Sequence, residues 1–412
     1  MTLRLVIIGA GPAGMRAAEV LRQKAPEAEI TLIGDEPHPP YDRPPLSKNF
    51  ITEGLAPARL WLKPESFYAE QRIRLKLGTP ALAIDRAHKE VELAGGERVP
   101  YDKLLLATGC RGRTLPDALA GAPVHYLRSL ADAEAIRAAL RPGLELVLIG
   151  GGFIGLEIAA SATKLGAKVT VLEMAPRLMS RGVPARVSDF VRTLHERHGV
   201  EFELEARLLG VARGADGRLL VETRRRSYPA DLGIAGIGAA PNTALAEAAG
   251  LAVEDGIRVD AQGRSSDPDI FAAGDATRHD NPLLGRSIRV ESWQVALNQA
   301  AVVAAAMLGA GDAYAELPWL WSDQYDCNIQ VLGLFEPAPD MIERRDPAAA
   351  GFTLLGLDAE TRIAAAITVN SGRDMAVLRR LVALRARLPR DRLADPTQKL
   401  SDLLKVARSV SP

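Results

Sequence analysis

The sequence predicts an α/β chain of two domains that share one strand–loop–helix–strand design, completed by a C-terminal α+β domain. Three observations carry that expectation. Gly9-Ala10-Gly11-Pro12-Ala13-Gly14 follows an apolar run at residues 3–8. Gly150-Gly151-Gly152-Phe153-Ile154-Gly155 follows a matching run at residues 144–149. From about residue 313 the character changes to a Trp-rich stretch and then to alternating segments that suggest a hairpin.

Each element follows from its local pattern. Residues 3–8 read as a short buried strand. Residues 12–21 place Ala13, Ala17, Ala18 and Leu21 at helical spacing, and Pro26 ends the helix. Residues 30–33 make the next strand. Five prolines among residues 37–48 fix φ and should hold that loop extended. Residues 101–107 form a strand that ends at Thr108-Gly109. In the second repeat, residues 144–149 are a strand and residues 153–165 a helix. Ile154, Ile158, Ala162 and Leu165 share one stripe of that helix, and Gly166 stops it. Residues 168–172 are a strand closed by Glu173. Further strands are expected at 231–238 and 266–273, and a long helix at 290–308. In the last region, residues 352–357 and 362–369 make the hairpin, and residues 373–388 a basic amphipathic helix.

Composition narrows the class. A chain of 412 residues suits two to three domains at about 150 residues each. Its 51 basic and 51 acidic side chains cancel, so no global field attracts nucleic acid or a membrane surface. The two cysteines, Cys110 and Cys327, are too few for a disulfide framework or a multi-cysteine metal site, and no metal is expected. They also leave out a paired-cysteine redox motif and suit a reducing cytoplasm. The longest apolar stretch, residues 300–311, is too short to span a bilayer. The N-terminal apolar run reads as strand and loop, with no targeting segment.

The glycine loops carry the chemistry. Glycine permits a tight turn and brings backbone N–H groups up to a pyrophosphate at a helix N-terminus. One such loop is a weak signal. Two, each between a strand and a helix, point to two bound dinucleotides that exchange electrons. Roughly 20 residues beyond each loop an acid should hold the adenosine ribose. The first unit offers Asp35, with Glu36 beside it, one place past the usual position, which Gly34 fills. The second offers Glu173 in register. Its carboxylate accepts a ribose 2′-OH and repels a 2′-phosphate, which favours NADH over NADPH, although Arg177 lies near enough to soften that preference.

Five segments together give a resemblance. They are Tyr41-Asp-Arg-Pro-Pro-Leu-Ser-Lys48, Gly150-Gly-Gly-Phe-Ile-Gly-Leu-Glu157, Phe271-Ala-Ala-Gly-Asp275, Glu291-Ser-Trp293 and Trp319-Leu-Trp-Ser-Asp-Gln324. The chain resembles the pyridine-nucleotide-dependent flavoprotein reductases, with their glutathione-reductase-like pair of Rossmann-like domains. More narrowly it resembles the ferredoxin reductases of bacterial oxygenase systems, which serve Rieske-type dioxygenases or cytochromes P450. The resemblance implies an FAD domain at residues 1–109 and 235–312, an NADH domain at 110–234 and a C-terminal domain at 313–412. It places FAD on Gly9, Gly11, Pro12, Ala13, Gly14, Asp35, Arg43, Lys48, Thr108, Gly109, Gly274, Asp275, Trp293 and Trp321. It places NADH on Gly150, Gly152, Phe153, Ile154, Gly155, Glu157 and Glu173. Lys48 and Glu157 are expected to pair and tune the flavin. NADH then reduces FAD, and electrons leave singly to a [2Fe-2S] ferredoxin, with Arg379, Arg380, Arg385 and Arg387 as a candidate docking face. An apoptosis-inducing-factor-like role in redox-gated assembly and an NADH oxidase activity stand as alternatives. The second needs a reactive cysteine near the flavin, and residues 1–50 contain none.

Overall fold

The computed structural model describes residues 2–335, 340–346 and 350–410. The chain divides into two compact units. The first comprises Met1–Arg43, Ala56–Arg111 and Ala239–Pro318; the second comprises Pro44–Leu55, Gly112–Gly238 and Trp319–Pro412.

The first unit is built on a five-stranded sheet in the order Ile270–Ala272, Lys103–Leu106, Arg4–Ile8, Glu29–Ile33 and Ile73–Lys76. All its pairings are parallel. Its central strands are continuous apolar runs, with Leu5, Ile7, Leu104 and Leu105 almost wholly excluded from solvent. That is the pattern of a parallel sheet covered on both faces. Helix Pro12–Lys24 lies over one face and packs against helix Trp293–Met307, its Ala17, Ala18 and Leu21 inside the same core as Ala300, Val303 and Ala304.

The second unit repeats the plan. Strands Glu201–Leu204, Lys168–Glu173, Glu145–Ile149 and Leu232–Ala235 form a parallel sheet, and helix Phe153–Lys164 follows the glycine loop. The same unit contains an antiparallel sheet in the order Trp319–Gln324, Cys327–Leu332, Ile363–Val369, Phe352–Leu357 and Asp340–Arg344. Helix Met375–Ala383 packs on Ile363–Val369.

Several expected boundaries move. The strand foreseen at 266–273 is only Ile270–Ala272, because the Asp267 carboxylate accepts from Asp269 N and holds the preceding residues in a turn. The strand foreseen at 231–238 is Leu232–Ala235. The proline-rich loop is not extended throughout: Pro44–Ser47 is a 3₁₀ turn, since a proline φ suits a helical turn as well as an extended one. The basic helix stops at Ala383, and Arg385 takes a φ of 47°, so Arg385 and Arg387 lie beyond it. Each unit also holds a three-stranded antiparallel meander that the pattern did not reveal, Ala81–Pro100 in the first and Leu208–Ala230 in the second. Among the described residues, no helix is long and apolar enough to cross a membrane.

Two buried histidines set an acid limit. Burial pushes His195 down to about 4 and His279 down to about 4. Both are neutral in the fold, whereas an unfolded chain binds their protons near pH 6.5. Their stabilisation is complete above that value and is lost as pH falls toward 4, by up to about 3 kcal/mol each. His279 has no hydrogen-bond partner for either ring nitrogen among the described residues. His279→Leu should therefore flatten the dependence of urea-unfolding free energy on pH between 6.5 and 4. An unchanged slope would show that His279 does not titrate on unfolding.

Candidate active site

The glycines of the two loops differ in what requires them. Gly9 and Gly150 have φ of 113° and 109°, which favours glycine. A Cβ on Gly9 would lie 2.1 Å from Ala107 O, and one on Gly150 2.4 Å from Gly236 O. Gly14 and Gly155 are packed against their own loops, where a Cβ would come within 1.9 Å of Gly9 O and 2.3 Å of Gly150 O respectively. The middle glycines are unlike these. Gly11 and Gly152 have ordinary extended backbone, and a Cβ on either would meet no atom within 4 Å. The described residues do not require glycine at Gly11 or Gly152; an approaching ligand would.

The helices behind the loops fit the same reading. Pro12–Lys24 begins with Pro12 and Ala13, and Phe153–Lys164 with Phe153 and Ile154. Neither has a side-chain N-cap or an acidic residue in its first turn. Their first amides and positive dipole ends suit a pyrophosphate. Ile154 does not join the expected core stripe: it is 48% exposed, while Ile158 and Ala162 are buried. Its place two residues past Gly152 puts an apolar surface at the loop.

The acids behave differently in the two units. Gly34 lies so close to Ala10 that a Cβ would come 2.6 Å from the Ala10 Cβ, which explains the glycine in the usual acid position. Asp35 is exposed. The Glu36 carboxylate instead accepts from Tyr41 Oη at 2.6 Å and Arg43 Nη2 at 2.7 Å. Glu173 closes its strand and accepts from Gly151 N and Ala175 N, both at 2.7 Å, so it braces the glycine loop it follows. Beside it, Met174 is 82% exposed.

Other residues of the first unit gather near its loop. Gly274, with φ of 81°, donates its N–H to Gln299 Oε1 at 2.8 Å, and a Cβ there would lie 3.2 Å from that of Ala13. This brings the Gly274-Asp275 turn to the first helix. Thr108 Oγ1 donates to Asn242 O, Asn242 Nδ2 donates to Thr108 O, and Asn242 N donates to Gly109 O. Trp293 Nε1 donates to Asp42 Oδ1 at 2.7 Å. Gln299 and Asn242 are not legible from sequence, since an amide inside a helix or loop carries no spacing signal.

In the second unit Lys48 Nζ lies 3.2 Å from Glu157 Oε1 and 3.9 Å from Asp323 Oδ2. Glu157 is 6% exposed. Its oxygens also accept from Ser47 Oγ at 2.5 Å and Ser322 Oγ at 2.6 Å. Burial pushes its carboxyl above the usual carboxylate range, while Lys48 and the two hydroxyls oppose that shift. The Lys48 ammonium lies 5.9 Å from the centroid of the Trp321 ring, which stacks on Trp319, and Arg379 lies over the Trp319 ring. Ser47 and Ser322 carry no signal of their own in the sequence; small hydroxyls gain meaning only once the carboxylate they face is known.

Two parallel sheets, each with an uncapped glycine loop, and an antiparallel C-terminal sheet define an oxidoreductase fold of the two-dinucleotide class. Residues 3–300 match the family model described as pyridine nucleotide-disulphide oxidoreductase, and residues 319–404 match that described as reductase C-terminal. The chain belongs to the pyridine nucleotide-disulphide oxidoreductase family. It is 50% identical over 400 residues to the ferredoxin--NAD(+) reductase component of the anthranilate 1,2-dioxygenase system of Burkholderia cepacia, covering 97% of this chain and 98% of that one. It is 38% identical to rhodocoxin reductase of Rhodococcus erythropolis, over 95% and 92% of the two chains. The crystal structure of the covalent putidaredoxin reductase–putidaredoxin complex superposes with a TM-score of 0.94 at 37% identity, over 98% and 99%.

The two kinds of glycine should separate by stability. In the nucleotide-free chain, Gly11→Ala and Gly152→Ala should be nearly neutral, because a gain of about 0.4–1 kcal/mol through the unfolded state offsets the poorer helix N-cap that Ala makes at both positions. Gly9→Ala and Gly150→Ala should destabilise by more than about 1 kcal/mol. Urea unfolding of the four variants checks this, and equal losses in all four would contradict it.

Proposed function

We propose that the chain is an NADH-dependent ferredoxin reductase of a bacterial oxygenase system, in the cytoplasm. The observation that carries the reading is the pair of open middle glycines, Gly11 and Gly152, before uncapped helices. Bound FAD would supply two-electron hydride acceptance from NADH and one-electron release to a [2Fe-2S] ferredoxin. The first loop, Gly9 to Gly14, would hold the FAD pyrophosphate, with Asp35, Arg43, Thr108, Gly109, Gly274, Asp275 and Trp293 around the rest of the cofactor. The second loop, Gly150 to Gly155, would hold NADH, with Glu173 on the ribose and Ile154 and Met174 as apolar surface.

Lys48 supplies a fixed positive charge whose counter-ion, Glu157, is buried beside it. A preorganised pair of this kind stabilises charge without reorganisation when charge develops nearby. Both cysteines are buried, and burial pushes the Cys327 thiol up to about 12. A thiol so protected is a poor nucleophile, which favours electrons leaving the flavin directly over a disulfide relay or an oxidase cysteine. The 50% identity to the anthranilate dioxygenase component favours a dioxygenase-type ferredoxin as partner.

Stopped-flow mixing of the FAD-loaded protein with NADH should bleach the flavin, and a dioxygenase-type [2Fe-2S] ferredoxin should accelerate cytochrome c reduction many-fold. Equal rates with and without any ferredoxin would overturn the assignment. Glu173→Ala should raise the KM for NADH about tenfold or more, as loss of a charge-assisted bond implies, and narrow the preference over NADPH. An unchanged NADH/NADPH ratio of kcat/KM would remove Glu173 from that role.

A further inference from the structure

Behind Glu157 runs a single file of buried polar groups that the functional reading does not use. Ser322 Oγ donates to Glu157 Oε1 at 2.6 Å, and Gln324 Nε2 donates to Ser322 Oγ at 3.0 Å. His195 Nε2 lies 2.8 Å from Gln324 Oε1, and Tyr325 Oη 3.3 Å from His195 Nδ1. Ser322, Gln324 and His195 are wholly excluded from solvent. Three elements supply the file: helix Phe153–Lys164, helix Ala185–Arg197 and strand Trp319–Gln324 with the turn after it.

The chemistry of the groups gives the file one direction. A Gln Oε1 only accepts, so His195 Nε2 must carry the proton. His195 Nδ1 is then an acceptor facing the Tyr325 hydroxyl, which also meets the Thr163 side chain. With its oxygen occupied by His195, the Gln324 amide can present only N–H to Ser322. The Ser322 oxygen receives that bond, and its own hydrogen is left to point at Glu157. Every bond from His195 onward donates toward the carboxylate.

We propose that His195 and Gln324 are positioning residues, which aim the Ser322 hydroxyl at Glu157 and so hold that carboxylate ionised opposite Lys48. Two features keep the file in this state across ordinary pH. Burial keeps His195 neutral down to about pH 4 and pushes Tyr325 up to about 12, so neither of these two groups changes its protonation between those values. Tyr325 also holds a φ of 58°, unusual for an aromatic residue, while its ring stacks on His198 at 3.6 Å. The groups facing Glu157 are Lys48, Ser47 and Ser322, with Asp323 beyond Lys48. Those facing His195 are Gln324, Tyr325, Phe202 and, more distantly, His198.

The proposal rests on the reading of Lys48 and Glu157 as the pair that tunes the flavin, and its test is independent of turnover. In ¹⁵N-histidine NMR of the full-length FAD-loaded protein, His195 should be the Nε2–H tautomer from pH 5 to 8. In an infrared titration of the Glu157 carboxyl, Ser322→Ala and His195→Phe should each raise its proton affinity about tenfold, one pH unit. The double variant should shift no further, because both changes break one path. An Nδ1–H tautomer, a wild-type titration in His195→Phe, or additive shifts in the double variant would overturn it. If NADH fails to bleach the wild-type flavin, the functional reading falls, while tautomer and titration still judge the file.

Discussion

A carbonyl oxygen pressed against the first glycine of each loop is the constraint on which the site depends. Ala107 O in one unit and Gly236 O in the other approach so closely that no side chain fits between. Each carbonyl leaves the end of a strand next to the loop's own strand in its parallel sheet. The close approach turns the chain sharply, so the following helix starts at the carboxyl end of an interior strand with no side chain capping its amides. What looks like sequence repetition is therefore one steric solution used twice: neighbouring strands compress the loop, and the compressed loop aims a helix dipole outward. The third glycine follows from the first, because it packs on that glycine's own carbonyl.

A second dependency centres on Glu157. Taking a carboxylate out of water costs several kcal/mol, and attraction to one ammonium recovers it only when hydrogen bonds satisfy the remaining lone pairs. Here Lys48, Ser47 and Ser322 share that task, and the upward shift of the carboxyl shows that burial still outweighs them. Above the ordinary carboxylate range the ionised form is thus held at a cost to stability. A fold that retains such a group gains fixed charge where it stands, which is what a redox site can use. Ser161 Oγ also donates to Ser47 O at 2.7 Å, so the helix bearing Glu157 fixes the turn that carries its partners.

Much of this was legible in the chain, for identifiable reasons. The two glycine loops stand out because sterics demand glycine at the first and last position of each, Gly9 and Gly14, Gly150 and Gly155, and apolar runs before them mark buried parallel strands. The hairpin at Phe352–Leu357 and Ile363–Val369 shows its turn-separated strand pattern openly. The meanders were hidden because their short strands mix charged and small residues on half-exposed surfaces. The premature end of the basic helix was hidden because Arg385 carries no glycine-like signal of a left-handed turn. In the site, single residues with a positional role could be named. The groups that act through others, Gln299, Ser322, Gln324 and His195, could not, since a hydrogen bond between residues more than a hundred places apart, as between Gln324 and His195, leaves no local pattern.

If the two loops hold two different dinucleotides, filling each middle glycine should separate them. Valine suits the extended backbone at both positions, and its Cβ would meet no atom within 4 Å. Gly11→Val should purify folded but without FAD. Gly152→Val should retain stoichiometric FAD while its dissociation constant for NADH rises at least tenfold, the loss of about 1.4 kcal/mol. Wild-type FAD content in Gly11→Val, or wild-type NADH affinity in Gly152→Val, would contradict the assignment of the loops.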